Sequence, residues 1–425
     1  MLNIVNFVPK VQALDKSAAT LAEIRRQLGA VRVISVISLA ETNRIDSIDP
    51  LIDLLAKVSD RTVFSGASDI HKTALKRLEN TGQSAALVDE EGLLLEIKVF
   101  YAEHPMRTLL MAPVGKGVGR VGDILCKWAA KDRVPVLGYF KSLHDQGMGL
   151  STLLSPTVRA RSGLISRLHK LLRRLRNNQS TAKPGELPVS LVDWLMVFNQ
   201  RHAKTVADKA GKTQLIETGY QLLFPAWREL VRQSTYCRSY PHDVRFEVVL
   251  FTRGETPGRP PEDNIVPHAN LEKLFRDIVA SLDDTGRDWH LRIKPHPIQD
   301  VDVLSRLIAG RDNIEIVYEA PALLAATADL AIATYSSTVV DTLALGVPTI
   351  EYFFETPFFQ AKHPAGSPFP GLGAVKARNS AEFVKGLDDA ISKSNVNQIC
   401  LESLALSPDF KFLTNPNNSI AQEKI

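Results

Sequence analysis

The sequence predicts an α/β protein with two doubly wound, parallel-sheet domains, and three observations carry that prediction. The chain has 425 residues, more than a single hydrophobic core usually organises, so two domains are expected. Its first half alternates short apolar strands with helical patterns, as sheets covered on both faces do. A second strand–helix series opens at Phe246-Glu247-Val248-Val249-Leu250-Phe251-Thr252-Arg253-Gly254, after a linker over 234–243.

Leu2 to Pro9 is apolar with no basic stretch ahead of it, so it reads as a first strand rather than a signal peptide. Val31 to Ser38 is a second β-rich run. Ile48 to Val58 and Ala67 to Asn80 carry helical spacing, the latter with Asp69 near its start and Lys76 and Arg77 in its last turn. Ala85 to Val88 is a short strand that stops at Asp89-Glu90-Glu91-Gly92, an acidic turn closed by glycine. Ligands of such sheets bind beyond the carboxyl ends of strands, which puts Glu90 and Glu91 on the functional edge. A solvated turn is the plainer meaning of the same cluster.

The strand Thr108 to Ala112 leads to Gly115, Gly117, Gly119 and Gly122, then a helix from Asp123 to Ala130. Gly117-x-Gly119-x-x-Gly122 matches the dinucleotide pattern. The next strand, Val134 to Phe140, runs into Lys141 rather than an acidic residue for a ribose, so the glycines read as a flexible loop closing on substrate. Arg159 to Arg176 reads as a basic amphipathic helix, with Leu164, Ile165, Leu168, Leu171, Leu172 and Leu175 at helical spacing, in an insertion of about 156–188. Such a helix suits an anionic membrane surface or partner, and equally a solvated helix packing its leucines on the core. Asn177 to Pro188 reads as a flexible loop. Leu191 to Phe198 and Leu215 to Tyr220 restore the strand pattern, and a helix spans Pro225 to Gln233. A boundary near Arg238 gives a first domain of 1–237, a second of 238–400 and a tail of 401–425.

Composition excludes several classes. Lys+Arg 51 against Asp+Glu 47 leaves a net charge of +4, too small to argue for nucleic acid. Cys126, Cys237 and Cys400 are scattered without metal-ligand spacing, which fits a reduced, cytoplasmic chain. No run approaches the roughly 18 apolar residues of a spanning helix.

The second half holds the strongest motifs. A helix at Leu271 to Leu282 leads to Leu291-Arg292-Ile293-Lys294-Pro295-His296-Pro297, a strand that ends in a proline-fixed turn. Further on, Asp329 to Thr334 is a strand followed by Tyr335-Ser336-Ser337-Thr338 and a helix stopped by Gly346 before Pro348. Thr338 and Asp341 stand at capping-box spacing, so the hydroxyls sit where a helix begins, a natural phosphate site. Ordinary caps and a rigid surface turn are the plain alternatives for each piece alone. Their joint order favours function.

Lys294-Pro295-His296-Pro297 resembles the HP motif of bacterial sialyltransferases and polysialyltransferases, Ser336-Ser337 their serine motif, and Glu90-Glu91-Gly92 their acidic motif. The layout, with Thr218-Gly219-Tyr220 and the Ser-Ser-Thr-x-x-Asp-x-x-Ala-x-Gly-x-Pro run, is also similar to capsule and surface-carbohydrate transferases and CDP-glycerol glycerophosphotransferases. The resemblance implies a GT-B architecture, two Rossmann-like domains facing across a cleft, with the nucleotide donor on the second. It assigns Glu90, with Glu91 as the competing choice, to proton abstraction from the acceptor, and His296 to the leaving phosphate. It places Arg253, Gly254, Lys294, Glu319, Ser336, Ser337 and Thr338 around the nucleotide. It implies no metal and no cofactor beyond the nucleotide-activated donor, here a CMP-linked acidic sugar. The partners implied are that donor, a surface or capsular glycan acceptor that is lipid-linked where the basic segment meets the inner membrane, and no nucleic acid. A CDP-glycerol-type transferase, a nucleotide-sugar 2-epimerase and a non-catalytic glycan-binding module are the rival readings.

Overall fold

The computed structural model describes residues 1–39, 48–102, 107–116, 118–140, 186–241, 245–297, 299–364, 366–367, 369–392 and 408–414. The basic segment Arg159 to Arg176 lies outside them. Strands of the first half are β1 (Leu2–Val8), β2 (Val31–Ile37), β3 (Arg61–Ser65), β4 (Ala85–Val88), β5 (Arg107–Pro113), β6 (Gly115–Lys116), β7 (Val136–Tyr139), β8 (Glu186–Leu187), β9 (Trp194–Val197) and β10 (Gln214–Glu217). Eight of them form one parallel sheet in the order β10-β9-β7-β5-β1-β2-β3-β4, while β6 and β8 make a small antiparallel ribbon. Every residue of β1 is buried, whereas the marginal strands β4 and β10 are only partly covered. A parallel strand enclosed on both faces needs such an unbroken apolar run.

The second sheet is built from β11 (Phe246–Thr252), β12 (Trp289–Pro295), β13 (Ile314–Ile316), β14 (Leu330–Ala333), β15 (Thr349–Tyr352) and β16 (Val375–Ala377). Its order, β13-β12-β11-β14-β15-β16, is entirely parallel and reverses between β11 and β14. That reversal opens a crevice where the chain leaves the two strands in opposite directions. Helices cover both sheets, so the expected two-domain α/β architecture is the observed one. The boundary read at Arg238 falls in the short helix Thr235–Ser239 between the sheets. Residues 408–414, read as tail, return to the first sheet. There Gln27 bonds Pro408 and Phe410 through its amide, and the ring of Phe412 lies 5.6 Å from that of Trp194. Among the described residues, no helix is long and apolar enough to cross a membrane.

Two local expectations are corrected, and one helix was not expected. Asp89-Glu90-Glu91-Gly92 is not a turn closed by glycine but the start of the helix Glu90–Ala102. Asp89 Oδ1 accepts from Gly92 N at 2.8 Å and caps it, and the two glutamates occupy the first turn, near the positive end of the helix. Gly92 lets that turn lie against Val88, whose Cβ would be 3.0 Å from an added Cβ. Of the glycine cluster read as a flexible loop, Gly117 lies outside the described residues, Gly115 belongs to β6, and Gly119 opens the helix Gly119–Lys131. A Cβ on Gly122 would stand 2.8 Å from the Phe7 ring, so this glycine brings the helix onto β1. Finally, the first-domain helix Val11–Leu28 follows β1 with Lys16, Ser17, Thr20 and Glu23 buried on it. Those polar residues break the apolar stripe by which sequence patterning finds helices.

Candidate functional site

The site forms at the carboxyl edge of the second sheet, where four strand ends meet. Thr252 closes β11 and passes the chain to Arg253 and Gly254, while Pro295 closes β12 and passes it to His296. Bonds from backbone amides fix these ends together: His296 N donates to Thr252 O at 3.1 Å, and Arg253 N donates to the Thr334 hydroxyl Oγ1 at 2.5 Å, beyond β14. Gln299 braces the pair. Its Oε1 accepts from Thr252 Oγ1 at 2.8 Å and from His296 N at 3.3 Å. A Cβ on Gly254 would meet the Gln299 amide at 2.7 Å, which is why the residue after Arg253 has no side chain. Lys294 Nζ reaches past β12 to donate to Tyr318 O at 3.1 Å, and Tyr318 N in turn bonds the Glu319 carboxylate at 3.0 Å.

Electrostatics follow from that packing. Burial pushes the His296 imidazole down to about 4, and the charges of Arg253 and Lys294 push in the same direction. Burial also lowers Arg253, opposed by Tyr335 and reinforced by Arg259. At neutral pH the edge therefore carries two cations beside a neutral imidazole, which can donate a hydrogen bond or gain a proton when an anion arrives.

The loop after β14 departs from its sequence reading. Tyr335 takes φ of 52°, a sparsely populated conformation for a residue with a side chain, and its hydroxyl contacts the His363 ring at 3.0 Å. Ser336 Oγ accepts from Thr338 Oγ1 at 3.0 Å and from Thr338 N at 3.4 Å, whereas Ser337 makes no capping bond. The helix is only the seven residues Thr338–Ala344, so the hydroxyls and the neighbouring cations, not a long helix dipole, define this loop. Asp341 does not complete a capping box. It is buried, and the charges of Lys16 and Asp15 in the first domain act on its carboxyl. Burial raises its carboxyl to about 7, although Lys16 opposes the shift.

The structure thus brings Arg253, Gly254, Lys294 and His296 together with the loop bearing Ser336, Ser337 and Thr338, and sets Glu319 beyond β13. It does not join the acidic pair to them by any hydrogen bond or ion pair among the described residues. Glu90 stands at the carboxyl end of β4, the last strand of the first sheet, with its carboxylate 2.5 Å from Arg120 Nε. Glu91 is exposed. Sequence reasoning missed Asp15 and Lys16, which follow the central strand. Lys16 Nζ lies 3.2 Å from both Asp15 oxygens and 5.6 Å from the centroid of Tyr220. A lysine inside an apolar helical stretch was the available signal. Among the described residues, no group of three or more His, Cys, Asp or Glu is placed to hold a metal ion.

No family model matches the sequence, and no curated protein is similar to it. Among solved structures, the chain is similar to a putative UDP-N-acetylglucosamine 2-epimerase from Listeria monocytogenes, with 12% identity and a TM-score of 0.50 over 97% of this chain and 94% of that one. It is also similar to the UDP-GlcNAc 2-epimerase from Methanocaldococcus jannaschii (9% identity, 93% and 94% covered, TM-score 0.48). A third likeness is to the wall teichoic acid polymerase TagF, H444N variant (13% identity, 97% and 86% covered, TM-score 0.47). At such identities likeness speaks to fold alone. The fold is of the GT-B kind, two α/β domains each built on a parallel sheet.

Proposed function

We propose that this chain is a glycosyltransferase that moves a sugar from a nucleotide donor, a CMP-linked acidic sugar, to a growing surface or capsular polysaccharide. The observation that carries the reading is the convergence of Arg253, Lys294 and the neutral His296 at the crevice between reversing strands. Departure of a nucleotide from its sugar leaves negative charge on phosphate, and fixed donors at that point lower the barrier. Arg253 and Lys294 supply charge, His296 donates a hydrogen bond or proton, and the hydroxyls of Ser336, Ser337 and Thr338 hold phosphate oxygens. Gly254 leaves room for close approach, and Glu319 lies on the nucleotide side. Glu90, oriented by Arg120, takes the proton of the acceptor hydroxyl, with Glu91 as its competitor. The donor is a substrate, and the reading requires neither metal nor separate cofactor.

Titrating CMP, CDP, UDP and GDP into the chain and following its melting temperature tests the donor site. A bound nucleotide stabilises by mass action, about 2.7 kcal/mol at a hundredfold excess over Kd. CMP giving the largest shift supports the donor named; no shift with any nucleotide sinks the reading. Products then separate the rivals: a 2-epimerase turns over its nucleotide sugar without acceptor, and a phosphoalcohol transferase consumes CDP-glycerol.

A further inference from the structure

Among the described residues, only Arg133 and Tyr335 combine a side chain with a positive φ. Arg133 follows the helix Gly119–Lys131, and helix ends often turn this way. Tyr335 stands instead between β14 and the hydroxyl loop, at φ 52°. Glycine adopts that conformation freely, so a tyrosine there must be held by what its side chain touches.

The contacts are specific. The Tyr335 ring is buried, with Phe359 edge-on at 5.0 Å between centroids, Phe353 at 5.5 Å and Phe369 at 5.9 Å. Its hydroxyl lies 3.0 Å from Nδ1 and 3.2 Å from Nε2 of His363, on the connection from β15 to β16. His363 is itself placed by the helix Pro357–Lys362, which it closes by donating its amide to Phe359 O at 2.8 Å. That helix is capped at its start by Thr356, whose hydroxyl accepts from Phe359 N at 3.1 Å. On either side of Tyr335 the chain is already engaged: Thr334 Oγ1 accepts from Arg253 N, and Ser336 Oγ accepts from Thr338. Backbone strain persists where the surroundings over-determine it, and such places cluster at ligand clamps.

We propose that Tyr335 and His363 are positioning residues for the phosphate. Their bond holds the turn between Thr334 and Ser336 in the strained form that presents the serine hydroxyls beside Arg253. The inference rests on the phosphate-site reading above and adds to it a histidine that no motif marks.

The test compares Tyr335→Phe, His363→Ala, the two together and His363→Gln in the full chain. Tyr335→Phe keeps the ring and its packing and removes only the hydroxyl. Affinities for CDP and UDP are read by calorimetry, beside the melting temperature of each variant. Each of the first two variants should weaken both nucleotides by the same factor, about three- to tenfold, the size of one hydrogen bond. An equal factor for the two marks the phosphates rather than the base. The double variant should be no weaker than the poorer single one, since the same bond is lost in all three. His363→Gln, whose amide can bond the hydroxyl in place of a ring nitrogen, should recover most of the affinity. A lower melting temperature with wild-type affinity in Tyr335→Phe and His363→Ala would make the pair a packing contact and overturn the proposal. Losses that add in the double variant, or that fall on one nucleotide alone, would overturn it as well. Ser336→Ala/Ser337→Ala separates the two readings. Weaker CDP and UDP binding there, with none from Tyr335→Phe, leaves the phosphate site standing and removes only the positioning; unchanged binding there removes both.

Discussion

The carboxyl edges of the two sheets solve different problems. In the second sheet, Arg253 and His296 follow adjacent strands, Lys294 lies near the end of the second, and the amides of His296 and Arg253 donate to Thr252 O and Thr334 Oγ1. Burial there lowers the His296 imidazole and the Arg253 guanidinium. In the first sheet, the acidic residues named by motif stand on the margin: Glu90 is 38% exposed at its side chain and paired with Arg120, with β2 and β3 between its strand and β1. The carboxylate beside the central strand is Asp15, which is committed to Lys16. A preorganised edge suits charge that develops at a fixed point, while an open one suits an acceptor that must enter and leave.

The largest expected effects probe that contrast directly. His296→Ala should lower transfer by about 10²–10⁴ with the melting temperature nearly unchanged, measured as initial rates beside a thermal scan. A matching loss of stability would make Pro295-His296-Pro297 a rigid turn and nothing more. Glu90→Gln should also cut transfer by about 10²–10⁴ while leaving nucleotide affinity intact, and Glu91→Gln should be milder. Near-normal transfer by the Glu90→Gln/Glu91→Gln double variant would move the proton acceptor away from the margin, with Asp15 next in line.

A smaller effect concerns a buried carboxyl beyond the second edge. Asp341 has a folded value of about 7, above its unfolded range, because burial outweighs the attraction of Lys16. Between roughly pH 4 and 7 the folded chain therefore binds more protons here than the unfolded chain. Linkage then makes this group's contribution fall as pH rises through that window and stay level above it. His296 acts oppositely, since its value is depressed to about 4: its contribution grows as pH rises from roughly 4 to 6.5. Comparing wild type with Asp341→Asn isolates the first group. The variant should gain on wild type by an amount on the order of a few kcal/mol as pH rises from 4 to 7, read by chemical denaturation at each pH. A stability difference that does not vary with pH would mean that the Asp341 carboxyl is not buried as described.

What could be read in the sequence follows the range of the signal. The second-domain loop residues were legible because proline, histidine and hydroxyl runs at strand ends act locally, and the strand order then carries them together. The helix Glu90–Ala102 was missed because Asp89-Glu90-Glu91-Gly92 looks like a turn until Asp89 is seen capping it. Lys16 and Asp341 were illegible as a pair. They stand 325 residues apart in numbering, and the electrostatic influence of one on the other follows from how the two domains pack, which no local pattern shows. Strand position within a sheet is equally non-local, which is why Glu90 could be put on the right edge but not at its margin.

The smallest effect separates two adjacent serines. Ser336 accepts from the Thr338 hydroxyl and amide, so it already closes the entry to the helix, whereas Ser337 has no such task. Ser336→Ala should cost about 1 kcal/mol of stability, the usual loss for a cap, and Ser337→Ala almost none. Both hydroxyls remain available to phosphate, so each substitution should also weaken nucleotide binding by roughly tenfold, the value of a hydrogen bond to a charged group. The split is the informative part: stability lost in one variant only, affinity lost in both. If Ser337→Ala leaves both quantities at wild-type values, its hydroxyl faces solvent and the phosphate is held by Ser336, Thr338 and the cations of β11 and β12.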